Sequence, residues 1–280
     1  MLKQLSIIAF SSLILSGCAQ LSSTDNHVQS SPSQPSSSYS TKDLNEQQMQ
    51  ALVWMQRSAE YRALCYQAFN VASDQLKKEL SSDHSKPLAV VVDIDETVLN
   101  NLPYQAWLIG KNQGYSSKTW QQWVKQSKAT AIPGAVSFLN FASEHGVQVF
   151  YITNRAEKVR EATLTNLKQL GFPNVVNSHL LMKSTSSDKE PRRNQVRSHY
   201  DIALYMGDNL GDFSDKFDAK SMEQRQQLAD QYRPQWGTKY IVLPNPIYGT
   251  WDGAAIHYQW GESAATKDKL RKQALYIWQP

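Results

Sequence analysis

Val90-Val91-Val92-Asp93-Ile94-Asp95-Glu96-Thr97-Val98-Leu99-Asn100-Asn101 is the stretch on which the rest of the chain depends. The apolar, mostly β-branched run of residues 88–92 reads as a strand buried on both faces. It delivers two carboxylates, one residue apart, to the strand's C-terminal end, where open α/β sheets gather their ligands. Two acids at one place repel, so the pair asks for a compensating cation or a shared proton. The structural alternative has Asp93 opening a loop and Asp95 capping the next helix. The motifs downstream decide between the two.

Residues 134–145 read as a helix ended by Gly146, and residues 147–152 as a second buried strand that stops at Thr153-Asn154-Arg155. Residues 157–170 form a helix closed by Gly171-Phe172-Pro173, residues 183–193 a polar loop, and residues 199–206 a third strand ending at Gly207-Asp208-Asn209. Residues 241–243 suggest one more strand before Pro244-Asn245-Pro246. This alternation implies an α/β fold, a Rossmann-like three-layer sandwich with a central parallel sheet and helices on both faces. Residues 44–80 carry Leu52, Met55, Ala59, Tyr66 and Phe69 at helical spacing and read as one or two helices. Residues 103–130 hold Tyr104, Trp107, Tyr115, Trp120 and Trp123 among polar neighbours. Together, residues 44–80 and 103–130 are expected to build a small, mainly helical cap.

The N-terminus differs in kind. A short basic start precedes the apolar residues 5–15, a run too short to span a bilayer but of signal-peptide length. It ends in Leu15-Ser16-Gly17-Cys18, which resembles the lipobox of bacterial lipoproteins, cleaved before a lipidated Cys18. Residues 1–17 are therefore expected to be a signal peptide, residues 18–43 a disordered Ser/Gln/Pro-rich tether, and residues 44–280 the folded domain. With no Asp after Cys18, the expected address is the bacterial outer membrane, on either face. Removing residues 1–17 takes away one charged residue, Lys3, so the net charge of +4 becomes +3. That is too mild to argue for a nucleic-acid polymer as partner. Cys65, the second of two cysteines, lies in a helical stretch and reads as a buried structural thiol.

Each main strand thus ends in polar residues of a complementary kind: Asp93 and Asp95, then Thr153, then Asp208 with Asp212 four residues on. Lys189 lies between the second and third sets. Parallel crossovers bring such strand ends to one edge of the sheet. Carboxylates, a hydroxyl and an ammonium around one point suit Mg²⁺, which takes a few hard oxygens plus water and substrate oxygen, together with a phosphate.

Asp-x-Asp-x-Thr, Ile-Thr-Asn-Arg, a loop lysine and Gly-Asp-Asn-x-x-Asp-Phe resemble the four motifs of the haloacid dehalogenase superfamily of phosphohydrolases. More narrowly, residues 92–99 and 207–213 resemble the class C acid phosphatases, bacterial outer-membrane lipoproteins with 5'-nucleotidase activity. The likeness runs from about residue 45 to the C-terminus and includes the lipobox. It implies a Mg²⁺-dependent phosphomonoesterase in which Asp93 attacks phosphorus and becomes an aspartyl-phosphate. Asp95 would protonate the leaving oxygen and then activate water, its carbonyl also binding metal. Asp93 and Asp208 would be the carboxylate ligands, Thr153 would hold a phosphate oxygen, and Lys189 would neutralise the charge that develops. Lys183 competes for the lysine role, but Ser187-Asp188-Lys189-x-x-Arg192 is more similar to the family's loop.

Asp212 could orient a water or the lysine, or simply sit at a helix start. Arg155 could meet substrate or a surface acid, and Asn154 shapes the turn. Trp120 and Tyr248 stand where the family has substrate-stacking aromatics, worth roughly 1–3 kcal/mol per stacked base; Tyr104, Tyr276 and Trp278 are lesser candidates. A phosphotransferase on the same scaffold and a non-catalytic binding or adhesin lipoprotein are the competing readings. The oligomeric state is left open.

Overall fold

The computed structural model describes residues 39–280. The expected signal peptide, Cys18 and the tether up to residue 38 lie outside the described residues. The tether's last residues are helical instead: α1 (Thr41–Glu46) starts behind Ser40, whose side chain accepts from the Asp43 backbone while Asp43 reaches back to the Ser40 N–H. α2 (Met49–Arg57) and α3 (Ala59–Leu80) follow, so the segment expected to hold one or two helices holds three.

The sheet is built from β1 (Leu88–Val92), β4 (Gln148–Ala156), β5 (Leu180–Lys183), β6 (Asp201–Gly207) and β7 (Tyr240–Val242), all parallel in the order β5-β4-β1-β6-β7. Side chains alternate across each strand. In β1, Val90 and Val92 enter a larger core and Ala89 and Val91 a smaller one on the opposite face. The larger core is closed by α3, α6 (Ala135–Glu144) and α7 (Arg160–Gln169), through Phe69 and Leu76, Phe138 and Leu139, and Leu164 and Leu167. The smaller is closed by Val196 of α8 (Glu190–Arg197) and by Phe213. The three-layer sandwich is therefore as expected.

Three features depart from the sequence reading. Residues 59–80 are not cap: Cys65, Phe69, Ala72 and Leu76 of α3 are buried in the main core, so the helix is a layer of the sandwich. Residues 103–130 do form a small separate element, with α4 (Leu102–Leu108), α5 (Ser117–Val124) and the short antiparallel pair β2 (Leu99–Asn100) and β3 (Thr130–Ala131). β4 runs on through Thr153-Asn154-Arg155, because after a register shift Ala156 pairs with Lys183 of β5. Finally, the segment read as a polar loop, residues 183–193, contributes the end of β5 and the first half of α8. Only Arg193 and Val196 of α8 are buried, so no apolar periodicity betrays it. α9 (Met222–Gln231), α10 (Thr250–Ala255) and α11 (Ala264–Gln273) complete the chain. No described helix is long and apolar enough to cross a membrane.

Candidate active site

β1 is the central strand, flanked by β4 and β6, so the three polar strand ends are neighbours in space. Asp93 follows β1 directly, and its N–H donates to the Met206 carbonyl of β6 at 2.9 Å. This ladder bond carries the strand pairing to the first acid. Asp208 follows β6 by one residue. Asp212 returns through a single 3-10 turn in which its carboxylate accepts the Asn209 N–H at 3.0 Å. Gly207 makes that return possible, since a Cβ there would fall inside the Asp212 side chain. Carboxylate oxygens of Asp93, Asp208 and Asp212 lie within 4.8 Å of one another.

Lys189 enters from the start of α8, its side chain almost fully buried. Its Nζ donates to Asp93 Oδ1, and to Asp212 Oδ1 at 2.7 Å. Burial alone would pull the ammonium down, but the charges of Asp212 and Asp93 outweigh it and raise it. Burial pushes Asp93 up to about 7, with Asp212 and Asp95 adding to the shift and Lys189 opposing it. Burial, then Asp212 and Asp93, holds Asp208 well above the usual carboxylate range. Three carboxylates against one ammonium leave excess negative charge in a nearly dry place. Hard oxygen donors so gathered fit a divalent cation such as Mg²⁺, which Asp93, Asp208 and Asp212 would hold.

Asp95 is turned elsewhere. Its Oδ1 accepts from Arg155 Nε at 2.9 Å and from Asn101 Nδ2 at 2.8 Å. Arg155 is therefore no surface residue: it is 2% exposed, and it also donates to Thr163 and to the Asn101 side-chain oxygen. Its guanidinium lies 5.9 Å from the Trp120 ring centroid, which puts the cap beside Asp95. Trp120 packs edge-on against Tyr104 at 5.1 Å and tilted against Tyr115 at 6.3 Å. Burial raises the Tyr115 hydroxyl, and the charges of Tyr104 and Asp95 add to it. Thr153 is buried; its hydroxyl accepts the Arg155 N–H at 3.1 Å and its carbonyl accepts Arg192 Nη1 at 2.5 Å. Arg192 also donates to the Asn154 side chain at 2.8 Å, tying the end of β4 to α8.

Several contributors escaped the sequence reading. Thr97 donates to Asp208 Oδ1 at 3.2 Å, and Asn245 donates to Asp208 Oδ2 at 2.8 Å. The Asn245 amide is itself fixed, because its oxygen accepts the Ile247 N–H at 3.0 Å. The flanking prolines were the available signal, marking a rigid turn beside a sheet edge. Glu96, fully buried at a backbone φ of 59°, accepts from the Asn101 N–H and from the Tyr248 hydroxyl. Tyr248 thus reaches the Asp-x-Asp loop with its hydroxyl, while its half-buried ring packs on the main core. Asp212 fills both roles weighed for it, holding the lysine and capping the turn. Tyr276 and Trp278 are exposed at the chain end.

Residues 18–251 match the model of a family described as HAD superfamily, subfamily IIIB (acid phosphatase). Among solved structures, the class C acid phosphatase from Bacillus anthracis superposes with a TM-score of 0.82 and 38% identity, over 84% of this chain and 99% of that one. The same protein with tungstate bound gives a TM-score of 0.81. Acid phosphatase 1 of Solanum lycopersicum is 28% identical over 167 residues, which is 56% of this chain and 57% of the plant protein. The chain thus spans little more than half the length of such curated relatives.

Proposed function

Because the chain belongs to the acid-phosphatase subfamily IIIB of the HAD superfamily, we propose that it hydrolyses phosphomonoesters with Mg²⁺ through an aspartyl-phosphate on Asp93. The observation that carries the reading is the convergence of Asp93, Asp208 and Asp212 around one point, with Lys189 bonded to two of them. A bound divalent cation would cancel part of the repulsion between an anionic nucleophile and a phosphate dianion.

The side chains do the rest. Asp93 is fixed at the end of β1 and attacks phosphorus, forming its O–P bond as the ester P–O bond breaks. Asp95 gives its proton to the departing oxygen. It then takes one from the water that attacks the aspartyl-phosphate, and the O–P bond to Asp93 is cleaved. Arg155 and Asn101 hold one Asp95 oxygen, which aims the other at the leaving group. Lys189 offsets the charge that spreads over the transferring group, and Thr153 supplies a hydroxyl at the neighbouring strand end.

The leaving group would sit under the cap. Trp120, Tyr104 and Tyr115 form an aromatic cluster adjoining Asp95 through Arg155, and Tyr248 flanks the loop on the side of Glu96. This supports a planar base on the leaving group, and hence 5'-nucleotides, as substrates. The tungstate complex of the Bacillus anthracis protein is consistent with a tetrahedral-oxyanion site in the family. The outer-membrane anchor through lipid on Cys18 rests on the sequence and is part of the same proposal; palmitate labelling lost in Cys18→Ser tests it.

A panel of phosphate esters, assayed with EDTA and then with Mg²⁺ restored, tests the reaction. Hydrolysis that needs the cation and favours nucleoside 5'-monophosphates over aliphatic esters is expected. Undiminished turnover in EDTA excludes the metal role, and no turnover on any monoester excludes the enzyme.

A further inference from the structure

Three amide side chains leave the junction of α1 and α2 in different directions. Asn45, buried near the end of α1, donates through Nδ2 to the carbonyls of Leu108, Lys111 and Gln113 at 3.0, 2.9 and 3.0 Å. Gln48 donates through Nε2 to the Ile247 carbonyl at 3.2 Å. Gln47 donates to Asp268 Oδ1 at 2.7 Å and accepts from Arg271 Nη1 at 2.9 Å, which seats the junction on α11. Leu52 and Met55 of α2 then enter the main core, whose close packing holds the junction in place.

Two of these amides end behind an aromatic face. Residues 109–116 join α4 to α5 with neither helix nor strand. Tyr104 precedes this loop, Tyr115 lies in it and Trp120 follows it, and the three rings pack on one another. The Leu108 carbonyl is among the last of α4 and has no partner within its helix, so it needs a donor from elsewhere. On the other side, Ile247 is held by both its backbone groups, its N–H by Asn245 and its carbonyl by Gln48. Tyr248 comes next, with its hydroxyl on Glu96. α10 starts two residues later, and its Asp252 accepts from Arg271 Nε and Nη2 at 3.0 Å each. The connections therefore close a ring: junction, α11, α10, Tyr248 loop and junction again.

We propose that Asn45 and Gln48 are positioning residues that fix the distance between the cap aromatics and Tyr248, and so set the preference for leaving groups that carry a planar base. Both loops lack helix and strand, so side-chain bonds decide where they stand. The two amides lie three positions apart on one anchored segment, which makes the two aromatic faces move together or not at all. A base fits between such faces only at one separation, whereas a small aliphatic group needs neither face. The inference rests on the reading that the leaving group sits under the cap.

The test is steady-state kinetics of the full chain with Mg²⁺, on adenosine 5'-monophosphate and on glycerol 2-phosphate. In Asn45→Ala and in Gln48→Met, KM for the nucleotide should rise about 10-fold, as when one stacking contact is lost. For both esters kcat, and for glycerol 2-phosphate KM, should stay within about two-fold, because only binding of the base is removed. Circular dichroism should show both variants folded. If Asn45→Ala does not fold, Gln48→Met decides, since it keeps the side-chain volume and removes a single bond. An unchanged ratio of the two KM values in Gln48→Met, or a kcat that falls alike on both esters, would overturn the inference. Equal KM values for the two esters in the wild type would instead refute the placement of the leaving group, and the inference with it.

Discussion

Asp93 combines three roles that usually conflict: it ends the central strand, it pairs with Lys189, and it faces two further acids. Burial is what reconciles them, by making the charged form costly until a cation arrives. Asp93→Asn should leave the fold intact and lower phosphomonoester turnover by on the order of 10⁴-fold or more, as loss of a nucleophile does; kcat together with far-UV circular dichroism checks both. The raised affinity for protons has a second consequence. An unfolded aspartate releases its proton at about 3.9, whereas folded Asp93 does so at about 7. Between those values the native chain holds a proton that the unfolded chain has lost, so without divalent metal stability falls as pH rises across that window. Melting temperatures in EDTA, wild type minus Asp93→Asn, should therefore decline from about pH 4 to about pH 7. A flat or rising difference would show that Asp93 is not held in this way.

Two connections decide how the strand ends are presented. The turn Pro244-Asn245-Pro246 after β7 clamps Asp208 from outside the motif, one amide hydrogen to a carboxylate oxygen. Removing such a support loosens a ligand without deleting it. Asn245→Ala should raise the Mg²⁺ concentration for half-activation by roughly 10–100-fold, while kcat at saturating metal stays within a few-fold; a metal titration of activity separates the two. The turn after β6 is tighter. Gly207 leaves no room for a methyl group against Asp212, so Gly207→Ala should cost about 1–3 kcal/mol by overpacking. It should also displace Asp212 from Lys189, giving a lower denaturation midpoint and a lower kcat together. If only stability changed, Gly207 would be a packing residue and no part of the site's architecture.

Across the whole molecule the site sits where three strands, one helix start and one late loop meet, so cation binding and folding are linked. A divalent ion at 100 times its Kd should add about 2.7 kcal/mol of stability. That corresponds to a rise of several degrees in melting temperature for a domain of this size, and Asp208→Asn should abolish it; thermal melts with stepped Mg²⁺ provide the measurement. The parallel sheet and the acids at its edge were legible in the order of residues, because β1, β4 and β6 are continuous apolar runs with polar ends, and burial on both faces imprints that pattern locally. α8 and β5 were not legible. The helix hides its buried face behind charge, with Arg193 donating through Nη1 to the carbonyls of Gly211 and Asp212, and such pairing leaves no apolar period to read. Nor could the sequence say that Arg155 would leave the surface for Asp95, sixty positions earlier, or that Asn245 would reach Asp208. The chain by itself determined which chemical groups are available and the strand ends that carry them. Only the tertiary structure decided who holds whom, because a hydrogen bond or ion pair between distant residues exists only once the strand order has set their separation.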